Sequence, residues 1–222
     1  MDSERDDVPE RRLDVGEILA RLREILWTNK GFASGCVAGL TVINIAAQQV
    51  SSGLVAMLPG AIGAVIAHYY LIATALNRLG LRKPGTPNRF WDLWGLLILS
   101  GFCVLWGFAA LIVPGLYINA RWAAAGPLLV SGDSQVGAAL DKSWAMSRPS
   151  AWAIVATWLM IYVPIVLACV VLAGILEFSF PVLARPVVQL FLSSGAVTIW
   201  LMGVAVYSLL RPPTARLAEV FA

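Results

Sequence analysis

The chain has 222 residues, of which 59% are hydrophobic and 13% are charged, and its net charge is +3. Soluble domains carry about a quarter charged residues, so this composition excludes an ordinary soluble enzyme and predicts a multi-pass membrane protein. A nucleic-acid partner is excluded as well, because a protein that binds phosphates needs a dense basic face. The charges are also uneven: residues 1–30 hold six basic and eight acidic side chains.

The first 30 residues contain an amphipathic pattern. On a helical wheel, residues 13–27 place six apolar side chains in one arc: Val15, Ile18, Leu19, Leu22, Ile25 and Leu26. Asp14 and Glu17 suit a capping pair at the start of such a helix. The pattern predicts a helix that lies in the cytoplasmic membrane interface, with packing on a soluble partner protein as the alternative.

Five apolar stretches reach the length of about 20 residues that a membrane span needs: 31–50, 54–76, 93–120, 151–176 and 187–210. The third contains Pro114-Gly115, a strong helix stop. It is therefore either one long span, or a hairpin turn whose second arm is a short span at 116–130.

The distribution of basic residues favours the hairpin and six spans. With both termini in the cytoplasm, six spans place 14 basic residues inside and only Arg185 outside, whereas five spans place 11 inside and five outside. The first arrangement obeys the positive-inside rule. We predict a cytoplasmic segment at 1–30, a six-span bundle at 31–210 and a cytoplasmic tail at 211–222.

A second amphipathic pattern lies between the fourth and fifth of these six spans, at residues 134–147. Its apolar face consists of Val136, Ala139, Leu140, Trp144 and Met146. Asp133 is placed to cap its start. Ser143 lies near the centre of the apolar arc, so its hydroxyl is expected to face the bundle and to need a partner. The predicted fold class is thus an all-α polytopic membrane bundle with six transmembrane and two interfacial amphipathic helices.

Three glycines, Gly31, Gly35 and Gly39, form one stripe along the first span. Small residues at this spacing let two helix backbones approach closely in lipid. The stripe predicts close helix packing, and five other spans make packing within the chain the favoured interpretation. Packing between two copies of the chain is the alternative.

Arg121 is the most informative ionisable residue, because it follows the Pro114-Gly115 turn by about 10 Å of helix. A charge at that depth is costly unless it faces the bundle interior, water or a partner. We expect polar contacts to Asn119, Tyr117, Ser143 or Glu177. The site is either a structural ion pair with Glu177, or an anion or lipid-headgroup site.

Signatures of enzyme chemistry are missing from the sequence. His68 is the single histidine, so a multi-histidine metal site is excluded. It is interpreted as a hydrogen-bonded core histidine with Asn44 as a candidate partner. We expect no catalytic residues, no metal and no cofactor.

Residues 112–152 carry a pattern that resembles a known bacterial family. The matching positions are Pro114, Gly115, Tyr117, Arg121, Pro127, Ala139, Leu140, Ser143 and Trp144. The pattern resembles that of the YciC-like proteins and of the membrane domain attached to some glycerophosphoryl diester phosphodiesterases. The resemblance covers about a fifth of the chain. It implies a six-span bundle in the inner membrane, without the catalytic domain and without its activity.

The sequence thus favours a non-enzymatic structural or partner-binding protein of the bacterial inner membrane. The alternative is a transporter or lipid-handling protein that uses the site around Arg121. The expected partners are membrane lipids, together with a protein partner or a second copy of the chain.

Overall fold

A computed structural model describes residues 12–50 and 54–211. The described chain is helical and contains no strand within those ranges. The elements are α1 (Val15–Val50), α2 (Leu54–Arg78), α3 (Phe90–Ala110), α4 (Ile112–Arg121), α5 (Ala125–Val130), α6 (Val136–Met146), a 3₁₀ turn (Arg148–Ser150), α7 (Ala151–Ser179) and α8 (Pro181–Leu210). The all-α class is confirmed, whereas residues 1–11 of the expected segment 1–30 and residues 212–222 of the expected tail 211–222 lie outside the described residues.

Five of these helices are long and apolar enough to cross a membrane: α1, α2, α3, α7 and α8. A helix of about 20 apolar residues spans the hydrocarbon core of a bilayer. The segment between α3 and α6 is instead divided into α4, of 10 residues, and α5, of six. The sequence predicts a short span at 116–130, but the helix is interrupted there at residues 122–124.

Helix α1 differs from the expected interfacial helix followed by a separate span. It runs for 36 residues without a break at residue 30, because no proline interrupts it. The apolar arc of its first half is buried at Ile18, Leu22 and Ile25 and half-buried at its other three residues, and α1 packs extensively on α8. The arc therefore faces the protein's own core and not the membrane interface.

The chain reverses between α3 and α4 at Leu111, three residues before the predicted turn. Leu111 has an extended backbone (φ −167°, ψ 152°), whereas Pro114 and Gly115 lie inside the first turns of α4. Proline is tolerated there because the first-turn N–H groups have no partner within the helix. Gly115 instead allows close packing, since a Cβ on Gly107 would lie 2.9 Å from the Gly115 Cα.

The loops and helix ends that carry most charges meet at one end of the bundle. The Lys83 ammonium lies 2.9 Å from the Asp133 carboxylate, and the Lys83 N–H donates to the Ser131 carbonyl. The Leu13 N–H donates to the Ser150 hydroxyl at 2.8 Å. The loops after α2 and after α5 therefore lie together, and the chain that leaves along α3 returns through α4 and α5.

The glycine stripe of α1 is open. A Cβ added at Gly31, Gly35 or Gly39 would meet nothing within 4 Å. The expected packing of this stripe within the chain is therefore wrong. The face of α1 that packs on the bundle carries Ala33, Leu40 and Ala47, which are buried, and the close approach to α2 occurs at Gly60 and Gly63.

Candidate functional site

Arg121 is the last residue of α4 and is almost completely buried, at 2% exposure. Its Nε and Nη1 atoms are buried and have no hydrogen-bond partner in the described chain. None of the described carboxylates forms an ion pair with it. A guanidinium stays charged in proteins, so this site holds a buried positive charge whose Nε and Nη1 donors are unused among the described residues.

Aromatic rings cover the guanidinium. The Arg121 Cζ lies 4.4 Å from the centre of the Trp144 ring and 5.7 Å from that of Tyr117. Tyr117 stands one turn before Arg121 on α4, and residues four apart share a helix face. Trp144 comes from α6 and Trp152 from α7, and both rings contact Tyr117. A cation over an aromatic face is stabilised by the ring quadrupole.

Helix α6 also holds the backbone of Arg121. The hydroxyls of Ser143 and Ser147 each donate to the Arg121 carbonyl oxygen at 2.8 Å. The last carbonyls of a helix have no partner within it, so these two serines satisfy the end of α4. The partner that the sequence required for Ser143 is thus this carbonyl and not the Arg121 side chain.

The structure divides the residues that the sequence assigned to this site. Tyr117 and Ser143 contact Arg121, whereas Asn119 faces a cavity on another side of α4. Glu177 is remote, because it stands 25 residues after Trp152 on α7, or about 37 Å along the helix. It lines a surface depression with Gln48 and Arg185. An ion pair between Glu177 and Arg121 is therefore excluded by this geometry.

A second charged group, around Asp133, was missed by the sequence. Asp133 was interpreted as the cap of α6, but the N-cap residue is Gln135 and makes no side-chain cap. Asp133 instead pairs with Lys83, accepts a hydrogen bond from the Tyr207 hydroxyl and lies 3.1 Å from the Ser131 hydroxyl. No sequence spacing joins these residues, since Tyr207 lies 74 positions away.

The partners of Asp133 change its acidity. Burial raises the pKa of this carboxyl, but the hydrogen bond from Tyr207 and the ammonium of Lys83 lower it, and the net pKa lies below the usual value. Both partners favour the ionised form. Asp133 is therefore a charge neutralised within the protein, in contrast to Arg121.

His68 lies in a different environment from the one expected. Its ring stacks on Trp200, with 4.7 Å between centres and 13° between planes, at the wall of a cavity of about 290 Å³. Asn44 is no partner of His68, because the Asn44 amide donates to the Leu40 carbonyl and its side chain lies against Gly60.

Within the part of the chain that the structure describes, no group of three or more histidine, cysteine, aspartate or glutamate side chains could hold a metal ion. Comparison of the chain with family models, curated proteins and solved structures found no match. The resemblance of residues 112–152 to the YciC-like family therefore stays a prediction.

Proposed function

We propose that this chain is a non-enzymatic, multi-pass membrane protein that binds an anionic, phosphate-type group at Arg121. One observation carries the proposal: a charge that is 2% exposed has two buried nitrogens, Nε and Nη1, with no partner among residues 12–50 and 54–211. Leaving a buried charged donor unsatisfied is costly, so an acceptor from outside the described chain would stabilise the site.

The chemistry of the guanidinium suits an oxyanion. Its N–H groups form a planar fork that matches two oxygens of a phosphate or a carboxylate. The rings of Trp144 and Tyr117 interact with its face and leave the N–H edge unused. The two rings therefore position the guanidinium without occupying its N–H groups.

The position of the site suits a lipid headgroup. Arg121 is separated from the polar end of the bundle by α5, a helix of six residues and about 9 Å. Trp144 and Trp152 beside it are 38% and 64% exposed, and tryptophans are enriched at the level of the headgroups. This supports the lipid-handling hypothesis over the structural, partner-binding protein that the sequence favoured.

The membrane topology is part of the proposal. We infer six passes, with α4 and α5 together as a broken fourth pass and both termini in the cytoplasm of a bacterial cell. The loops after α2 and after α5 lie together at the charged end of the bundle, and this supports a fourth pass through α4 and α5. Reporter fusions after Lys83 and after Ser147 should both report the cytoplasm, and a periplasmic signal from the second fusion would contradict the fourth pass.

The headgroup site can be tested with purified protein in lipid nanodiscs. We expect the wild type to retain phosphatidylglycerol in native mass spectra and to unfold at a higher temperature when that lipid is present. Arg121→Leu should lower retention about tenfold, the loss expected for one charge-assisted hydrogen bond. Arg121→Lys should recover only part, since lysine keeps the charge without the fork.

Two controls separate the sources of the anion. Inorganic phosphate added to phosphatidylcholine nanodiscs tests a free anion, and stabilisation by phosphate alone would assign the site to a soluble ligand. Arg148→Leu removes an exposed arginine near the same end and should retain lipid normally. If Arg121→Leu destabilises the protein equally with and without anionic lipid and phosphate, the residue is structural and the proposal is wrong.

A further inference from the structure

A cavity of about 290 Å³ lies between the hairpin of α3 and α4 and the helices α2, α7 and α8. It is lined by residues from the middle of α3, such as Ser100, and from α8, such as Trp200. The hairpin helices pack closely on each other, whereas α3 makes few contacts with α2. The cavity therefore occupies the space where the hairpin meets the rest of the bundle.

The walls of the cavity are largely apolar and aromatic. The indoles of Trp122, Trp158 and Trp200 line it, and no aspartate, glutamate, lysine or arginine is among the described lining residues. Binding sites for small molecules combine such walls with a few polar groups. A charged ligand would lose its hydration here without gaining a counter-charge.

Two polar side chains in the wall have no internal partner. The imidazole of His68 and the carboxamide of Asn119 line the cavity, and neither makes a side-chain hydrogen bond to the residues that the structure describes. His68 contacts the Trp200 ring only through its face. Polar groups in the apolar part of a protein are normally hydrogen-bonded, so both side chains indicate an occupant with a polar group.

Water alone does not suit this space. A cavity of this volume holds several water molecules, and each buried water needs two to four polar partners. Only His68, Ser100 and Asn119 offer polar side chains beside the indole N–H groups, and Ser100 already donates to the Leu97 carbonyl. A molecule that is mostly apolar satisfies the walls better.

One wall of the cavity is a helix with an apolar outer surface. The outer surface of α3 carries Ile98, Leu99 and Phe102, which are all exposed, so α3 is the wall between the cavity and the lipid. The cavity is partly open to the protein surface. A ligand that enters beside α3 would come from the membrane and not from water.

We propose that this cavity binds an uncharged amphipathic molecule from the bilayer, with its hydroxyl or carbonyl group on His68 and Asn119 and its apolar part among the indoles. The site is separate from the anion site at Arg121, which does not line the cavity. The two proposals therefore stand or fall independently.

Photolabelling tests the proposal on the full chain in nanodiscs. The probes are a diazirine-bearing hexadecanol, which is uncharged, and the matching diazirine-bearing hexadecanoic acid, which is charged. We expect the alcohol to label peptides that contain residues 96–104 or 199–203, and an excess of unlabelled hexadecanol to compete. The acid should label these peptides much less.

Two glycine variants on α3 form a matched pair. Gly101 lines the cavity, Gly95 does not, and a Cβ on either meets nothing within 4 Å. Gly101→Phe should fill the cavity and abolish labelling by the alcohol, while Gly95→Phe should label as the wild type does. Thermal unfolding of both variants checks that each is folded.

Two polar variants test the group that recognises the ligand. Asn119→Leu and His68→Phe should each lower labelling by the alcohol about fivefold to tenfold, the effect of one lost hydrogen bond. His68→Phe keeps a ring against Trp200 and so preserves the stack. Labelling that does not saturate, that is equal for the acid, or that survives Gly101→Phe would overturn the proposal.

Discussion

Asp133 and Arg121 are two charged residues near the same end of the bundle, and their surroundings are opposite. Asp133 is paired with Lys83, Tyr207 and Ser131. Arg121 is more deeply buried, but its Nε and Nη1 atoms have no partner in the described chain. A charge with internal partners holds the fold together, whereas one with unused donors indicates a partner outside the described residues.

Among the substitutions that distinguish the site of Arg121 from that of Asp133, the largest effect on stability is expected at Gly107. A Cβ there would lie 2.9 Å from the Gly115 backbone, so Gly107→Leu should force α3 and α4 apart and cost about 3 kcal/mol of unfolding free energy. It should displace Arg121 and abolish retention of anionic lipid. Unfolding and native mass spectra in nanodiscs measure both effects.

The matched control for Gly107 is Gly95→Leu, on the same helix but outside the cavity wall, where a Cβ meets nothing within 4 Å. Its stability should change by less than about 0.5 kcal/mol. The hairpin packing described above would be contradicted if the two leucine variants unfolded at the same temperature.

Removal of the Asp133 carboxylate should cost about 2 kcal/mol, because Tyr207 and Lys83 then lose a charged hydrogen-bond acceptor. Retention of anionic lipid should be unchanged in Asp133→Ala, since Arg121 does not contact this group. Asp141→Ala, on the exposed face of α6, is the control. A loss of bound lipid in Asp133→Ala would show that the two charges form one functional unit.

The ring of Trp144 should stabilise Arg121 more than the exposed ring of Trp27 stabilises Lys30. Lys30 lies over Trp27 at 4.4 Å, the same distance as Arg121 over Trp144, but Trp27 is 73% exposed against 38% for Trp144. We expect Trp144→Leu to cost about 1.5 kcal/mol and Trp27→Leu about 0.5 kcal/mol. Equal losses would mean that burial adds nothing to the contact.

The smallest expected effect is a change of the unfolding free energy with pH. The folded pKa of Asp133 is lowered, so its stabilisation is present above the unfolded pKa of about 4 and is lost as pH falls through the folded value. The difference in stability between the wild type and Asp133→Asn should therefore shrink below about pH 4. A constant difference down to pH 3 would contradict the ion pair.

The sequence predicted the parts of the fold that depend on apolar length. All five long apolar stretches became membrane-length helices, because lipid-length runs of apolar residues have few alternatives. It placed the reversal at Pro114 and not at Leu111, since a proline marks a helix start as readily as a stop. The sequence analysis did not predict that α1 is continuous, because a helical wheel shows that a face is apolar without showing what that face packs on.

Local pattern also located part of the site. Tyr117 and Arg121 share a helix face by spacing alone, and the position of Ser143 in an apolar arc indicated a buried hydroxyl. The pairing of Lys83 with Asp133 and the separation of Glu177 from Arg121 depend on how distant helices pack. A single sequence carries no signal for such contacts. Two residues at a similar depth in the membrane need not lie close together.

The links of α8 to the polar end have a consequence for biosynthesis. The Tyr207 hydroxyl reaches Asp133, and the Ser208 hydroxyl accepts from Arg21 across 187 residues. Chains are made from the N-terminus, and earlier segments assemble first, so Arg21 and Asp133 are synthesised long before these partners exist. Contacts so distant in sequence form slowly. The newly made protein therefore passes through a stage in which Arg21 and Asp133 have only earlier partners, such as Glu24 and Lys83, and closure of the bundle coincides with the arrival of α8.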